Sequence, residues 1–268
     1  MTNRTVLITG ATSGIGKETA LLLVSKGFLV YGTARNVEGK NLPFRLLPMD
    51  VRDEASIKEA VQQMLSEVGR IDILINNAGV GITGAIEELP IAELQNIFAT
   101  NLYGAIAVIQ QVLPAMRAQG SGRIINIASI AGYMGLPFRG AYSASKSALL
   151  LMSEALRMEL KPFKIEVCTI SPGDYATDIA SRRYHAPVKE NSPYATVYAQ
   201  QLKLMNEHVD RGGNPKEMAE KILKVINTDH PKVHYKQGSF LQKFSIVLKR
   251  LLPSKMYEKM LMKHYSLN

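Results

Sequence analysis

The sequence is very poor in cysteine: its 268 residues include one, Cys168. It contains no tryptophan. One cysteine excludes an intrachain disulfide, and with it the class of small disulfide-rich secreted proteins, so we expect a reducing, cytoplasmic compartment. Cys168 lies in the apolar run 165–170 and is better interpreted as a small core residue than as a nucleophile.

Long apolar runs and metal-binding patterns are scarce as well. No uninterrupted apolar stretch approaches the roughly 20 residues that cross a bilayer. The chain starts with a strand-like segment rather than a basic and apolar leader. We therefore expect neither a membrane-spanning helix nor a signal peptide. No metal is expected either, because none of the five histidines has the spacing of a metal site: His185, His208, His230, His234 and His264.

Acidic residues are nearly absent from the last part of the chain. The net charge is +9, and from Lys232 to Asn268 eight basic residues stand against one acid, Glu258. Apolar residues between Phe240 and Leu252 recur at helical spacing beside several of these cations. Such a helix either makes a peripheral contact with an anionic membrane or packs on the body with its charged face in water. Both interpretations stay open, and no nucleic-acid-binding motif accompanies the charge.

Short apolar runs, rich in β-branched residues, alternate with amphipathic segments through the first two thirds of the chain. Continuous apolar runs are typical of strands covered on both faces, and strand–helix alternation predicts a parallel sheet with right-handed crossovers. The predicted fold class is α/β, a Rossmann-type doubly wound sheet in a single domain, 1–268, with a C-terminal helical extension. The predicted strands are 6–9, 29–33, 45–48, 71–76, 123–127 and 165–170, and the predicted helices are 14–26, 54–68, 101–116 and 141–160.

The chain beyond these strands divides into segments of different character. Asn214 and Pro215 predict the start of a helix, because an asparagine cap followed by proline at the first position favours one. The expected segments are a core over 1–180, a substrate lid over 174–213 with a helix near 193–209, a helix over 215–226, a strand at 233–235 and a basic amphipathic extension over 236–268.

A glycine-rich turn follows the first predicted strand and precedes the first predicted helix. Gly10 permits a sharp turn, Gly14 lets a pyrophosphate approach the backbone, and Gly16 allows close packing of helix on strand. The helix N-terminus offers N–H groups and the positive end of its dipole to phosphates. We therefore predict a dinucleotide site at Thr9, Gly10, Thr12, Ser13, Gly14, Ile15 and Gly16.

The end of the second predicted strand decides which dinucleotide fits. An NAD-binding site needs a carboxylate there to accept hydrogen bonds from the ribose 2′-hydroxyl. This position is Ala34, and Arg35 follows it. A guanidinium binds a 2′-phosphate through paired charge-assisted hydrogen bonds, so the sequence favours NADP(H) over NAD(H).

Tyr142 and Lys146 are four residues apart in the predicted helix 141–160, which places them on one face, one turn apart. A free phenol has a pKa of about 10 and is a poor acid–base group at neutral pH. A nearby ammonium favours the phenolate. The pair is therefore a candidate acid–base site.

Six motifs follow one another along the predicted elements. They are the turn 9–16 with its Gly-x-x-x-Gly-x-Gly spacing, the run 76–79 (Asn-Asn-Ala-Gly), Asn101, Ser129, the pair Tyr142-x-x-x-Lys146, and Pro172-Gly173 followed by Thr177. Over about residues 4–180 they resemble the short-chain dehydrogenase/reductase family. The run 134–138 and the extended C terminus resemble the branch that contains 17β-hydroxysteroid dehydrogenase type 1 and retinol dehydrogenases. The sequence also resembles ketosphinganine and acyl-dihydroxyacetone-phosphate reductases, and the resemblance to these groups implies a lipid-like substrate.

The resemblance implies a role for each matched residue. In a reduction, Tyr142 protonates the carbonyl oxygen as hydride arrives from the nicotinamide, and Ser129 orients that oxygen. Lys146 binds the nicotinamide ribose, and Asn101 holds a water that links Lys146 to solvent. The further implied contacts are Asp50 and Val51 at the adenine, Asn77, Ala78 and Gly79 along the cofactor, and Pro172, Gly173 and Thr177 over the nicotinamide.

An apolar segment lies between Ser129 and Tyr142 and is expected to border the substrate carbonyl. Arg139 is the nearest cation, and no basic residue is plainly aimed at a substrate acid. An apolar wall favours an apolar, lipid-like ketone, such as a steroid, a retinoid or 3-ketosphinganine. The predicted substrate contacts are Ser129, Met134, Leu136, Phe138, Tyr142 and Tyr175.

The sequence thus predicts an NADP(H)-dependent oxidoreductase that interconverts a ketone and a secondary alcohol, in either direction. A non-catalytic NADP(H)-binding sensor or scaffold is the alternative, although that class usually lacks the tyrosine or the lysine. An epimerase or dehydratase is a further alternative, but those relatives have a different glycine spacing. The resemblance also implies that helices 101–116 and 141–160 pair across a two-fold axis in a homodimer or homotetramer.

Overall fold

Seven parallel strands form the centre of the computed structural model, with helices on both faces, as the sequence predicts. The structure describes residues 4–175, 183–210 and 212–267. The strands are β1 (Thr5–Ile8), β2 (Leu29–Ala34), β3 (Arg45–Pro48), β4 (Ile73–Asn76), β5 (Ile82–Thr83), β6 (Gly122–Ile127), β7 (Ile165–Pro172), β8 (Tyr184–His185) and β9 (His234–Gln237). The helices are α1 (Gly14–Ser25), α2 (Glu54–Val68), α3 (Ile91–Phe98), α4 (Gly104–Gln119), α5 (Gly140–Glu159), α6 (Ala195–Asp210), α7 (Pro215–Ile226), α8 (Phe240–Leu251) and α9 (Ser254–His264).

The strand order in the large sheet is β3-β2-β1-β4-β6-β7-β9, and the neighbouring strands are parallel. The chain runs outward from β1 to β3 and then returns past β1 to form β4. The segments after β1 and β4 therefore diverge at a switch point. Ligands of such sheets bind at the carboxyl ends of the strands beside this point, where the segments that follow β1, β4, β6 and β7 meet.

Side chains of β1 show how both faces of the sheet are covered. Val6 and Ile8 belong to the hydrophobic cluster that includes Leu23 of α1 and Ile222 of α7. Leu7 belongs to the cluster on the opposite face, with residues of α2 and α4. A strand that is buried on both faces needs no polar alternation, which explains the continuous apolar runs in the sequence.

Cys168 of β7 confirms its interpretation as a core residue. It is buried in the cluster with β1, and burial raises the pKa of its thiol to about 12. A thiol with so high a pKa carries almost no thiolate at neutral pH and is not a nucleophile.

A buried chain of side-chain hydrogen bonds connects the centre of the sheet to α5. Asn76 of β4 donates through Nδ2 to Oδ1 of Asn126 in β6 (2.9 Å) and to the carbonyl oxygen of Ala105 in α4 (3.2 Å). Asn126 donates in turn to Oγ of Ser153 in α5 (2.8 Å). Buried polar groups that have partners favour one arrangement, so these bonds set how α4 and α5 stand against the sheet.

α3 and α4 form one continuous helix, Ile91–Gln119, with a π-helical turn at Ala99–Tyr103. The predicted helix 101–116 covers only its second half. By length and composition alone this helix could cross a membrane, a property that a search for uninterrupted apolar runs does not detect. More than half of its most apolar window is buried, and Val108 and Val112 pack in the core, so core packing explains its composition.

The segment predicted to be a substrate lid, 174–213, contributes to a second sheet of two parallel strands. β8 pairs with β5, which places Tyr184 opposite Ile82. Strands of two residues leave no periodic pattern, so the sequence could not indicate this pairing. The helix expected near 193–209 is α6, and Thr177 lies outside the described residues.

The basic extension forms two helices, α8 and α9, separated at Pro253. Ile246 of α8 and Tyr257 of α9 are buried in one cluster with Ile130 and Met134, so the extension packs on the body. The apolar residues between Phe240 and Leu252 are nevertheless only partly covered by the body. Five apolar side chains of α8 stay exposed, and we call them the exposed apolar row: Phe240, Leu241, Phe244, Val247 and Leu251.

Candidate active site

The backbone of the glycine turn has the conformation that its sequence predicts. Gly10 and Gly14 have φ angles of +68° and +51°, which other residues rarely adopt. A Cβ on Gly16 would collide with the carbonyl oxygen of Gly10 and with Nδ2 of Asn77. The turn leads directly into α1, whose N-terminal N–H groups have the charge distribution that phosphates need. Three other residues of the turn, Thr12, Ser13 and Ile15, are partly exposed.

Thr9 and Asn77 tie the glycine turn to the end of β4. Oγ1 of Thr9 accepts hydrogen bonds from the backbone N–H groups of Asn77 and Ala78, both at 3.0 Å. Nδ2 of Asn77 donates to the carbonyl oxygens of Thr9 (3.0 Å) and Gly10 (3.1 Å). Both side chains thus hold together the two loops that would receive a cofactor. Their direct contact with it stays a prediction, as does that of Ala78.

Lys146 is buried near the start of α5, with 5% of its surface exposed. Its Nζ donates to the carbonyl oxygen of Ile127 at the end of β6 (3.0 Å). Burial lowers the pKa of this ammonium to about 8. A buried ammonium whose pKa is so strongly perturbed is a candidate functional residue.

Asn101 lies in the π-helical turn beside Lys146, and such turns frequently mark functional sites. Its Oδ1 accepts from the N–H of Val80 (2.9 Å), and its Nδ2 donates to the carbonyl oxygen of Val80 (3.0 Å) and to Oγ of Ser145 (3.1 Å). A Cβ on Gly79 would lie 3.2 Å from Oδ1 of Asn101 and 3.3 Å from Nζ of Lys146, so the structure brings these three residues together. Because protein groups engage both ends of the Asn101 amide, its water-holding role stays a prediction.

Ser129 and Tyr142 line one narrow cleft, which we call the Tyr142 cleft. Ser129 follows β6, and its Oγ accepts from the N–H of Ala131 (3.2 Å). Tyr142 is buried one helical turn before Lys146, with the guanidinium of Arg139 5.5 Å from the centre of its ring. Other predicted residues that line the cleft are Ile15, Pro172, Gly173 and Tyr175.

The predicted nucleotide end of the site lies at the ends of β2 and β3. Arg35 follows β2 and is exposed. The guanidinium of Arg52 bonds to Oδ2 of Asp50 (2.7 Å) and lowers the pKa of that carboxyl. Val51 packs against Gly104, where a Cβ would lie 2.9 Å from the Cβ of Val51. The adenine contacts of Asp50 and Val51 stay predictions.

Three residues predicted to contact substrate, Met134, Leu136 and Phe138, are not among the residues that line the cleft. The thioether of Met134 accepts a hydrogen bond from the hydroxyl of Tyr257 in α9 (2.9 Å). Phe138 packs on Tyr198 of α6 with ring centroids 5.4 Å apart, and Leu136 joins both groups. The apolar segment after Ser129 therefore packs on α6 and the C-terminal helices. The substrate contacts of Met134, Leu136 and Phe138 stay predictions.

Two charged residues of the cleft carry no motif and were not predicted. Arg183 stands directly before β8, and its side chain is buried in the cleft. Asp174 follows β7, and its Oδ2 accepts from Nε2 of Gln242 in α8 (2.7 Å). Long-range pairing of β8 and docking of α8 bring these residues to the cleft, and no local sequence pattern encodes either event.

Comparison with known proteins confirms the family. The family model described as short chain dehydrogenase matches residues 4–187, so the chain belongs to the short-chain dehydrogenase/reductase family and is an oxidoreductase. The 3-ketodihydrosphingosine reductase of Bacteroides thetaiotaomicron is 40% identical over 254 residues, 94% of each chain. Retinol dehydrogenase 8 of Homo sapiens is 32% identical over 250 residues, 85% of this chain and 79% of its own. A solved short-chain dehydrogenase from Streptomyces avermitilis has a TM-score of 0.83 at 30% identity, over 99% and 98% of the two chains.

Replacing Lys146 with methionine should make the cofactor-free protein more stable at neutral pH. The folded-state pKa of Lys146 is about 8 against 10.5 for an unfolded lysine, so the native state disfavours the charge below pH 8. Between these values the unfolded chain binds more protons, and wild-type stability rises with pH. We expect the free energy of unfolding of the variant to be higher than that of wild type by on the order of 1–3 kcal/mol at pH 7. Each kcal/mol raises Tm by about 2–4 °C.

The measurement is thermal unfolding of wild type and variant between pH 7 and pH 10. The advantage of the variant should shrink as pH rises through this range. Lys58→Met, on the exposed face of α2, is the matched control and should show no such trend. A lower Tm for Lys146→Met at pH 7, or a difference that pH does not change, would contradict the burial argument.

Proposed function

We propose that the protein interconverts lipid-like ketones and secondary alcohols with NADP(H), and that Tyr142 is its acid–base group. The observation that carries this proposal is a buried tyrosine one helical turn before a buried ammonium, at a cleft beside a glycine turn. The 40% identity to a 3-ketodihydrosphingosine reductase over nearly the whole chain supports a long-chain ketone as substrate.

NADPH, when bound along the glycine turn, supplies the hydride that reaches a carbonyl carbon in the cleft. Tyr142 donates its phenolic proton to the carbonyl oxygen. The hydroxyl of Ser129 exchanges its long contact with the carbonyl of Pro172 (3.5 Å) for a hydrogen bond to that oxygen and orients it. The ammonium of Lys146 stabilises the phenolate that remains, because opposite charges attract strongly where water is excluded. Alcohol oxidation follows the same steps in reverse.

The choice of NADP(H) follows from the end of β2. Ala34 stands where an NAD-binding site has a carboxylate, and Arg35 has its guanidinium exposed for a 2′-phosphate. The collision that a Cβ on Gly16 would cause with Gly10 and Asn77 fits the close packing that a dinucleotide-binding turn needs.

Burial of Lys146 favours the catalytic proposal over a sensor or scaffold. The ammonium is held where desolvation disfavours its charge, one helical turn after a tyrosine whose phenolate it would stabilise. A site that only binds a dinucleotide does not need this tyrosine. Residues of this kind are retained where chemistry needs them.

Replacing Tyr142 with phenylalanine should abolish turnover and preserve cofactor binding. The measurement is NADPH oxidation with 3-ketosphinganine, retinal and a steroid ketone. We expect a loss of roughly 10²–10⁴-fold, the usual contribution of one acid–base group, with an unchanged Kd for NADPH. Tyr103→Phe, an exposed tyrosine beside α4, should be fully active. Tight NADPH binding by wild type without turnover of any ketone would instead support a sensor.

Replacing Arg35 with alanine should change cofactor preference. Loss of a charge-assisted contact with the 2′-phosphate should lower kcat/KM for NADPH by roughly tenfold to a hundredfold and leave that for NADH nearly constant. Steady-state kinetics with both cofactors measure this. Lys40→Ala, an exposed cation in the same loop, is the control. An equal loss with both cofactors would argue against the assignment.

The exposed apolar row and its neighbouring cations fit an anionic lipid surface. Phe240 and Phe244 stack with centroids 5.6 Å apart on the exposed side of α8. Lys243, Lys249 and Arg250 are exposed on the same helix. Apolar insertion and attraction to anionic headgroups act together in such helices. We propose that α8 makes a peripheral membrane contact, and a cytoplasmic location stays a prediction.

The double variant Phe240→Ser, Leu241→Ser should lose most binding to vesicles of phosphatidylglycerol and phosphatidylethanolamine in a cosedimentation assay. Ile86→Ser, Ile91→Ser removes two equally exposed apolar side chains elsewhere and should bind as wild type. Binding of wild type should also weaken as salt is raised. Equal cosedimentation of both double variants would exclude α8 as the contact.

Exposed apolar side chains also occur on the helices that the family resemblance pairs. Leu151, Met152 and Met158 of α5, and Tyr103 beside α4, are exposed. We propose that these surfaces meet in a homodimer or homotetramer. Sedimentation velocity would measure the mass of the assembly.

A further inference from the structure

Arg183 holds a buried guanidinium nitrogen that has no hydrogen-bond partner among the described residues. The side chain is 8% exposed, and no described residue offers an acceptor within hydrogen-bond distance of its Nη1. Leaving a buried charged donor unpaired is unfavourable, and native structures rarely do so without a reason. Arg183 lines the same cleft as Tyr142 and Ser129.

The position of Arg183 is fixed by the small sheet. The N–H of Tyr184 in β8 donates to the carbonyl oxygen of Gly81 (3.0 Å), directly before β5. A Cβ on Gly81 would lie 2.9 Å from Cγ and 3.1 Å from Nε of Arg183, so the glycine provides the space in which the stem of the arginine lies. The stem of Arg183 thus lies against Gly81, and the residue lines the cleft.

Charges around the cleft favour an oxygen acceptor as the missing partner. Burial, and then repulsion from Arg139, lower the pKa of Arg183, whereas Tyr142 and Asp174 favour its charged form. Asp174 already accepts a hydrogen bond from Gln242. Two guanidiniums and one carboxylate therefore line the cleft beside Tyr142. An electron-rich oxygen satisfies Nη1, whereas a purely hydrocarbon neighbour leaves it unpaired.

We propose that Arg183 determines specificity at the Tyr142 cleft by donating from Nη1 to an oxygen that the substrate carries close to its reacting carbonyl. This inference rests on the proposed function and narrows its substrate class. The class is long-chain ketones with a nearby hydroxyl or carboxyl oxygen, and plain ketones of the same length are poor substrates.

Matched ketones with and without the neighbouring oxygen group test this. The hydroxyl pair, 3-ketosphinganine and 1-deoxy-3-ketosphinganine, differs in one oxygen. The ester pair, methyl 3-oxohexadecanoate and hexadecan-3-one, has a methyl ester in one member and a methyl group in the other. Wild type should prefer the oxygen-bearing member of at least one pair by roughly tenfold to a hundredfold in kcat/KM. Arg183→Met should lower kcat/KM for the oxygen-bearing ketone alone, so that the two members of the pair become about equally good substrates. Arg183→Lys, which keeps a donor, should restore part of the preference, and the exposed Arg117→Met should leave it unchanged.

Binding measurements keep the test independent of turnover and of folding losses. The Kd of the wild-type enzyme–NADP⁺ complex for sphinganine should be lower than that for 1-deoxysphinganine, and Arg183→Met should make the two equal. If wild type has equal kcat/KM for both members of each pair, the inference is overturned and the proposed function stays intact. A weakened Kd for NADPH in Arg183→Met also overturns the inference, because the partner would then be the cofactor. Failure of wild type to reduce any ketone rejects the proposed function instead.

Discussion

The parallel arrangement of β1, β4, β6 and β7 is the constraint on which the rest of the structure depends. It brings their carboxyl ends to one edge, so the glycine turn, Gly79, Ser129 and Pro172 become neighbours although they are far apart in the chain. The hydrogen bonds from Asn76 through Asn126 to Ser153 then fix α5 against this edge. A shift of α5 along its axis would break these bonds and would remove both Tyr142 and Lys146 from their positions.

In the proposed mechanism, burial of Lys146 supports the chemistry at the expense of stability. The carbonyl oxygen of Ile127 solvates its ammonium in part, and the low dielectric that lowers its pKa also strengthens its field at Tyr142. Asn101 contributes indirectly, because its amide bonds to Val80 and Ser145 hold Gly79 beside Lys146. The site is thus assembled from backbone positions that the core fixes before any ligand binds.

Local chemistry explains why much of this arrangement could be predicted. Strand runs, glycine positions and the four-residue spacing of Tyr142 and Lys146 are properties of short segments, and the structure places these elements within a few residues of the predicted bounds. Long-range contacts bring in what the sequence does not indicate. The pairing of β8 with β5 brings Arg183 to the cleft, and docking of α8 engages Asp174. Met134 bonds to Tyr257 of α9, a contact that no local pattern indicates. A sequence pattern reports which side chains are apolar, but not which of two apolar surfaces they will contact.

The start of α8 joins the two surfaces for which we propose different roles. Gln242 bonds to Asp174 in the cleft wall, and its Oε1 accepts from the N–H of Ser239, which caps the helix. A Cβ on Gly173 would collide with the same Oε1, so helix and wall are in tight contact. Phe240 and Leu241 lie within two residues of Gln242 and are largely exposed. If α8 lies on a membrane, the cleft wall is held at the lipid interface, where a substrate with a long apolar chain and an oxygen-bearing head is already oriented. The apolar chain then stays in lipid while the head enters beside Arg183 and Tyr142, which reconciles a polar cleft with an apolar substrate.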